Sequence, residues 1–544
     1  MYGIDGDPAA AARSTGIVPV PERASFATGH CDFSRGCRIS ASRGLENEAA
    51  LARNWLLAAS EAPSGPDPGS GSEIPVELLL GEISHAGTRT ESEWTESEWT
   101  ERGRKPGSYS LELAPGRVRI GASDASGIFY GLVSLRQLLM SHGPRIPAMR
   151  IDDAPRFSWR GFMLDTARNF FRVEFIEKMI ELAAFHKLNV FHWHLTDDQA
   201  WRLELPSRPE LAALGARRTD GRFNPPGTNA GSYSPGDVRR IVAFAASRHI
   251  TVVPEIETPG HAIALLASHP ELSCADAMRP PEGEAGPVFS PEDRYGVFED
   301  ILCAGNEAVF GLLAEVYDYL ASVFPGVWVH AGGDEAPKAR WLVCPRCRRR
   351  MEELRLRGGD GRPDPEKLQA WFMSRVAGML AARGKRMVGW DEILEGGTDK
   401  DAIVMSWRGY SGGVQGLRAG HEVVMSPQTA ACYLDHQHLD LPEEPGRLGV
   451  CTVRDSYLFE PLPPGLTETE ACGILGAQAN IWTELMYFGR QVEYMAFPRL
   501  CALSESFWSA SENRDFIDFT RRMREFHGKR LDILDVNRFR GDYF

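Results

Sequence analysis

Asp334 and Glu335 are adjacent carboxylates that follow a glycine pair in the run His330-Ala331-Gly332-Gly333-Asp334-Glu335. Just before this run, Val327-Trp328-Val329 reads as a buried strand. Glycine lets the backbone turn where other residues are strained, and neighbouring acids repel unless a site uses both. If strand alternation continued through them, the two side chains would leave in different directions. One would then address a reacting bond and the other a neighbouring group. Acid/base chemistry on a bound small molecule fits that arrangement. A pair of solvated loop acids is the plainer alternative, so other residues have to decide.

Polar and aromatic groups recur after seven further short apolar runs. Asp165 and Arg168 follow Gly161-Phe162-Met163-Leu164, and His192, His194, Asp197 and Asp198 lie in or after Asn189–Leu195. Glu255, Glu257 and His261 follow Thr251-Val252-Val253; Trp390, Asp391 and Glu392 close Met387-Val388-Gly389. Trp407 ends Ile403-Val404-Met405-Ser406, Tyr433-Leu434-Asp435 lies beyond Val423–Ser426, and Trp482-Thr483-Glu484 lies beyond Ile474–Ala477. Three tryptophans can wall a pyranose, whose axial C–H faces pack on aromatic rings. Arg168, Asp435 and Glu484 supply the charged hydrogen bonds that suit vicinal hydroxyls. Trp482 and Glu484, two apart on an extended segment, face the same side. No glycine-rich phosphate loop opens a helix, which counts against a nucleotide enzyme.

Such residues need elements to bring them together. Long amphipathic segments alternate with the apolar runs: 172–187, with Phe175, Ile176, Met179, Ile180 and Ala183 on one stripe, and 236–248. Two more follow: 307–323, with Val309, Leu312, Leu313, Val316 and Leu320 on one face, and 365–383, stopped by Gly384. Eight strands alternating with helices predict a closed α/β barrel of the (β/α)₈, TIM type, whose active face is the carboxyl ends of the strands. All the groups named above would then share one mouth.

Ahead of the barrel, strands are expected at 76–80, 109–113 and 118–120 and a helix at 127–139, with Ile128, Leu132, Leu135 and Leu138 at helical spacing. Residues 60–75 are rich in glycine, proline and serine and read as a loop. The tandem pentapeptide 91–95 and 96–100 reads as a duplication in a surface hairpin. The expected organisation is a disordered tail at 1–14, a small α+β domain at 15–153, and the barrel with a C-terminal helix at 154–544. Asp153-Ala154-Pro155-Arg156 is the expected boundary.

The chain has 544 residues, 43% apolar and 25% charged, ordinary for a globular protein. Its 74 acidic and 60 basic side chains give −14, which argues against a broad nucleic-acid surface. No stretch approaches the roughly 18 apolar residues of a membrane helix. Met1–Asp7 has neither a basic start nor an apolar core, so no signal peptide is expected and a cytoplasmic location with reduced thiols is inferred. The ten cysteines are scattered. Adjacent βα loops could bring Cys344 and Cys347, a CxxC pair, together with Cys274 and Cys303 as a structural zinc site that braces loops. A lone CxxC is a weak sign and unpaired thiols are the preferred reading, so no required cofactor is expected. Oligomeric state stays open.

Ordered blocks of this sequence resemble glycoside hydrolase family 20, the β-N-acetylhexosaminidases. They are Pro155–Gly161, Lys187–Asp198, Pro254–His261, the Gly332-Gly333-Asp334-Glu335 run and Trp482–Glu484, and the similarity extends over roughly residues 15–510. The resemblance implies hydrolysis of terminal N-acetylhexosamine with the substrate's own acetamido oxygen as nucleophile, an exception to the two-carboxylate scheme. It implies that Glu335 is the general acid/base, that Asp334 orients the acetamido group and that Tyr433 donates to the acetamido oxygen. By the same similarity Arg168 takes the 3- and 4-hydroxyls, Asp435 and Glu484 share the 4- and 6-hydroxyls, and Trp390, Trp407 and Trp482 enclose the sugar. Asp197 and His261 resemble the carboxylate–histidine pair behind the catalytic glutamate. The charge of Asp334 is expected to raise the proton affinity of Glu335. Neither gluco/galacto preference nor the aglycone can be read from these residues.

Two rivals remain at this stage. One is a metal-dependent hydrolase with His192, His194, His261 and Asp334 as ligands; the other is an inactive sugar-binding homologue. His192 and His194 otherwise read as structural residues lining the barrel. The insert at 275–300 and the Gly/Pro-rich 357–364 are expected to shape the entrance.

Overall fold

The computed structural model describes residues 8–60, 73–81, 105–220, 227–277, 286–438 and 444–541. The tandem pentapeptide at 91–100, most of the loop at 60–75 and part of the insert at 275–300 lie outside the described residues.

The first domain is a six-stranded mixed sheet. Its order across the sheet is Arg23–Asp32, Arg145–Asp153, Tyr109–Ala114, Arg117–Ala122, Ile74–Leu80 and Cys37–Ala41. The three strands expected from sequence are adjacent in its interior, where Val76, Leu78, Leu111, Leu113, Val118 and Ile120 are buried. Cys37–Ala41 is an edge strand with no fully buried residue, so it shows no apolar alternation to read. The expected helix runs longer, Ala125–His142, because Asp124 caps it by accepting from the Gly127 amide. It packs beside a second helix, Glu46–Ser60, with the Trp55 and Phe129 rings 5.9 Å apart.

Residues 8–14, expected to be a disordered tail, instead include the helix Pro8–Ser14, with Ala12 fully buried. The physical reason is a partner at the other end of the chain. Arg522 donates to the Ile17 carbonyl at 2.9 Å and Arg530 to the Gly16 carbonyl at 2.7 Å, which pins the segment that follows the helix.

Eight parallel strands close the barrel: Trp159–Asp165, Val190–His194, Thr251–Thr258, Trp328–Gly332, Arg386–Trp390, Ile403–Ser406, Val423–Met425 and Ile474–Ile481. Closure runs through the last and first, with Gln478 opposite Gly161. Both faces of these strands are covered, which explains their continuous apolar runs. One apolar layer, including Met163, Val253, Val388, Met405 and Val424, fills the barrel. A second joins the strands to the surrounding helices and to the first domain.

The barrel helices start and stop on local signals. Ser234 and Asp237 form a capping box before Pro235–Ala246, and Asp364 accepts from the Glu366 and Lys367 amides ahead of Pro365–Ala381. Glu307–Val323 and Val173–Phe185 bury the stripes expected of them, save that Phe175 is only half-buried. Residues 357–363 form a small bridge between helices. The part of the long insert at 286–300 lies against the loop after the second barrel strand. There the Glu292 amide meets the Asp198 carbonyl at 2.9 Å, and Gln199 Nε2 meets the Arg294 carbonyl at 2.8 Å.

Asp153 joins the two domains. Its carboxylate accepts from Lys187 Nζ at 2.8 Å, the Tyr109 hydroxyl at 2.8 Å and Trp508 Nε1 at 3.0 Å, all buried. A cavity of about 700 Å³ opens at the amino-terminal end of the barrel, lined partly by Phe157, Asn189, Ile250 and Leu475. Among the described residues no helix is long and apolar enough to cross a membrane.

Candidate active site

The fourth barrel strand ends at Gly332, and the backbone then turns sharply. Gly332 and Gly333 have φ of 67° and 103°, and Glu335 has φ of 44°. A Cβ on Gly332 would collide with the Glu257 carboxylate, so only glycine fits there. This turn, and not strand alternation, sends Asp334 and Glu335 apart, which corrects the expectation from sequence. Asp334 is buried, with Oδ1 lacking a hydrogen-bond partner among the described residues, whereas the Glu335 side chain is 41% exposed. A non-glycine residue held at positive φ stores strain, and Glu335 shares that condition with His261, at φ 48°.

His261 stands between the two acids and a second pair. Its Nε2 lies 3.5 Å from Glu335 Oε2 and 3.8 Å from Asp334 Oδ2. Its Nδ1 lies 2.9 Å from Asp198 Oδ2 but 3.5 Å from Asp197 Oδ1. Asp198 is therefore the nearer carboxylate, and Asp197 is a second partner of the same nitrogen. The other Asp197 oxygen is turned elsewhere: Oδ2 takes Arg168 Nη2 at 2.8 Å and His194 Nε2 at 3.0 Å. Burial opposes a charge on His261, yet the Asp197 charge and hydrogen bonds to Asp197, Asp198 and Glu335 hold its pKa well above the usual imidazole range.

That cation reverses the expected electrostatics of Glu335. The hydrogen bond from His261 lowers the Glu335 pKa below the ordinary carboxylate value, outweighing burial. Asp334 is the acid that is raised, to about 6, chiefly by burial and further by the charges of Glu255 and Glu335. The sequence offered the repulsion between two adjacent acids; it did not reveal which one the fold would bury.

The aromatic groups do converge. The Trp407 and Tyr433 rings lie 6.2 Å apart at 11°, Trp482 lies 6.1 Å from Tyr433, and Trp390 lies 6.0 Å from Trp482. Trp407 Nε1 donates to Glu392 at 2.8 Å, and Trp390 Nε1 to Glu255 at 2.9 Å. Arg168 sits 4.9 Å over the Trp482 ring and is aimed by Gln199 Oε1 at 3.0 Å. Burial, then the charge of Asp334, pushes Glu392 up to about 8; burial holds Tyr433 well above its ordinary range, with Asp334 again adding. Asp334 is thus felt by groups from the fifth and seventh strand ends, the shared mouth that the barrel demands.

Arg447 was not found by sequence reasoning. It pairs with Glu484 through Nη1 and approaches Asp435 Oδ1 at 3.3 Å, tying together two acids assigned to the sugar. Glu484 Oε2 has no hydrogen-bond partner among the described residues. Arg447 lies in a polar loop with no periodicity, so no signal in the sequence marks it.

Beneath the mouth, Glu255 gathers the barrel histidines. Its carboxylate lies 2.9 Å from His192 Nε2 and 2.6 Å from His330 Nδ1, and it also contacts His194 Nδ1. His192 and His194 therefore turn onto Glu255, while His261 turns onto Asp198. The ligand set of the rival metal hydrolase is divided between two places. The four cysteines weighed as a zinc set, by contrast, meet in one buried cluster.

A closed parallel barrel that masses carboxylates, imidazoles and indoles at the carboxyl ends of its strands is a TIM-barrel site. The model of the glycosyl hydrolase family 20 catalytic domain matches residues 157–511, and that of the family's domain 2 matches residues 14–154. A β-hexosaminidase of Porphyromonas gingivalis is 41% identical over 444 residues, covering 80% of this chain and 54% of the relative. A β-hexosaminidase of Vibrio furnissii is 33% identical, covering 74% of this chain and 65% of the relative. The chain thus spans between half and two-thirds of the length of these curated relatives. A crystal structure of an exo-β-N-acetylglucosaminidase from Vibrio harveyi, in complex with N-acetylglucosamine, superposes with a TM-score of 0.81 at 27% identity, covering 99% of this chain and 80% of that one. The chain belongs to glycosyl hydrolase family 20.

Proposed function

We propose that the protein is a retaining exo-β-N-acetylhexosaminidase that removes terminal non-reducing N-acetylglucosamine or N-acetylgalactosamine by substrate-assisted catalysis. The observation that carries this reading is Asp334 Oδ1, a buried acceptor without a partner beside a more exposed acid. A buried carboxylate oxygen left unpaired is costly unless a ligand donor completes it. The acetamido N–H of the substrate is such a donor. As the acetamido oxygen attacks C1, the C1–O bond to the leaving group breaks and positive charge grows on the amide, against the Asp334 carboxylate. Tyr433 donates its hydroxyl to the acetamido oxygen, and Trp390, Trp407 and Trp482 wall the ring.

Glu335 gives its proton to the leaving oxygen, then takes one from the water that opens the oxazolinium at C1. Two inversions at C1 retain its configuration. The free protein favours Glu335 ionised against cationic His261; a bound sugar strips water from Glu335 and raises its proton affinity. His261 Nε2, 3.5 Å away, is the near proton source, held there by Asp198 and Asp197. Arg168 takes the 3- and 4-hydroxyls, and Asp435 and Glu484 the 4- and 6-hydroxyls. These residues supply every proton and charge the reaction moves, so the proposal calls on no cofactor.

The test is Glu335→Gln, assayed on aryl N-acetyl-β-glucosaminides of differing leaving-group acidity. Loss of a general acid should cost about 10²–10⁴-fold on poor leaving groups and less on good ones. A uniform loss across leaving groups, or none, would remove Glu335 from the acid role.

A further inference from the structure

Outside the mouth, four buried cysteines come together from two βα loops. Cys303 Sγ lies 3.6 Å from Cys347 Sγ and 3.8 Å from Cys344 Sγ, and Cys274 Sγ lies 3.7 Å from Cys347 Sγ. One ligand atom from each of the four falls within 4.8 Å of the others. A tetrahedral zinc with Zn–S bonds of about 2.3 Å sets its sulfurs about 3.8 Å apart. A disulfide would need about 2.05 Å. We propose that Cys274, Cys303, Cys344 and Cys347 hold a structural zinc ion that fastens the loop carrying His261 to the loop that follows Glu335.

The backbone is built for this meeting. An antiparallel bridge between Ser273 and Leu302 joins the two segments that carry Cys274 and Cys303, with the Cys303 amide on the Leu272 carbonyl at 2.9 Å. Cys344 is the N-cap of the helix Pro345–Glu353 and Cys347 lies in its first turn. The positive end of that helix favours thiolates. Gly305 lets the two loops touch: a Cβ there would collide with the Arg346 carbonyl group. On binding, four thiols release four protons and the resulting tetrathiolate centre carries a −2 charge. Arg346, on the same helix, pairs with Asp276 of the facing loop at 3.2 Å, a second tie between the two loops.

The site has a mechanical route to the mouth. Leu302, next to Cys303, donates its amide to the Pro259 carbonyl at 2.9 Å, two residues before His261. The Leu302 carbonyl accepts Trp341 Nε1 at 3.0 Å from the helix ahead of Cys344. Soft tetrathiolate sites take zinc or iron, and the absence of any redox step in the proposed reaction favours zinc.

The full chain, purified without chelator, should carry one zinc per molecule by elemental analysis, released only when a mercurial blocks its thiols. Growth in cobalt should give the red-region absorption of a tetrahedral cobalt thiolate. Cys344→Ser/Cys347→Ser should lose both metal and colour, whereas Cys472→Ser, at an exposed cysteine, should keep them. Should the double variant fail to fold, the mercurial release on the parent protein still decides. Stoichiometric iron, two disulfides by mass spectrometry, or four readily titrated thiols without metal would overturn the proposal.

Discussion

His261 Nδ1 lies 2.9 Å from Asp198 Oδ2, closer than the 3.5 Å to Asp197 Oδ1, although the two aspartates are consecutive. The division of labour behind His261 follows from that difference. Asp198 holds the imidazole that faces Glu335, and Asp197 holds Arg168. Charged hydrogen bonds of this kind contribute about 1.5–3 kcal/mol. Asp198→Asn should therefore lower kcat by about 10–100-fold with little change in KM, whereas Asp197→Asn should both raise KM by freeing Arg168 and lower kcat by removing the charge that keeps His261 cationic. Steady-state kinetics of both variants check this, and an unchanged kcat in Asp198→Asn would contradict it.

Asp334 should set the acidic limb of the pH profile. Its carboxyl is raised to about 6, and the proposed role needs it ionised, so kcat/KM should fall as the pH drops through about 6. The same shift has a stability consequence of opposite sign. A folded-state value above the unfolded 3.8 means that the ionised form is a penalty, present above about pH 6 and gone below about pH 4. Asp334→Asn should stabilise the protein by on the order of 2 kcal/mol at pH 7 and by nothing at pH 4, while abolishing most activity. Thermal melts at the two pH values make the comparison, and equal shifts would refute it.

Glu255 is expected to matter for stability more than its distance from the solvent suggests. Burial opposes charge on His194, but the Glu255 carboxylate beside it raises its pKa to about 10, so a cation sits under the mouth at neutral pH. Glu255→Gln leaves that cation with Asp197 as its remaining partner, at 3.0 Å, and removes the charged acceptor of Trp390 Nε1. Breaking a buried pair costs about 3–5 kcal/mol. Chemical denaturation should report a loss of that order, and a change under 1 kcal/mol would count against the network.

The joint between the domains makes a separate claim. Lys187 and Asp153 are both fully buried and meet at 2.8 Å. Lys187→Met should destabilise by about 3–5 kcal/mol yet leave the activity of the folded fraction near the parent value. Loss of activity without loss of stability would mean that the joint reaches the mouth.

Much of this structure can be read from residues, and the remainder has physical reasons for being hidden. Barrel strands such as Val190–His194 and Val423–Met425 announce themselves because both of their faces are buried. Cys37–Ala41 does not, because an exposed edge strand needs no apolar pattern. Residue types at the mouth are equally plain, but their pairing is not. Asp197 lies in the short hairpin of Thr196-Asp197 with Ala200-Trp201, and Asp198 lies in its turn, where its carboxylate also accepts from the Ile263 amide at 3.1 Å. Arg447 reaches Asp435 and Glu484 from a loop whose path no local rule dictates. The proton affinities reverse the expectation for the same reason: they depend on which acid the turn at Gly332 and Gly333 buries.

The central claim is that the substrate's amide performs the attack on C1. Its most direct test is the ratio of kcat/KM for an aryl N-acetyl-β-glucosaminide to that for the matching aryl β-glucoside. A ratio of at least about 10³ is expected, since effective molarities of well-placed internal nucleophiles are far larger than that. A ratio near one, with the plain glucoside cleaved as fast, would contradict the account.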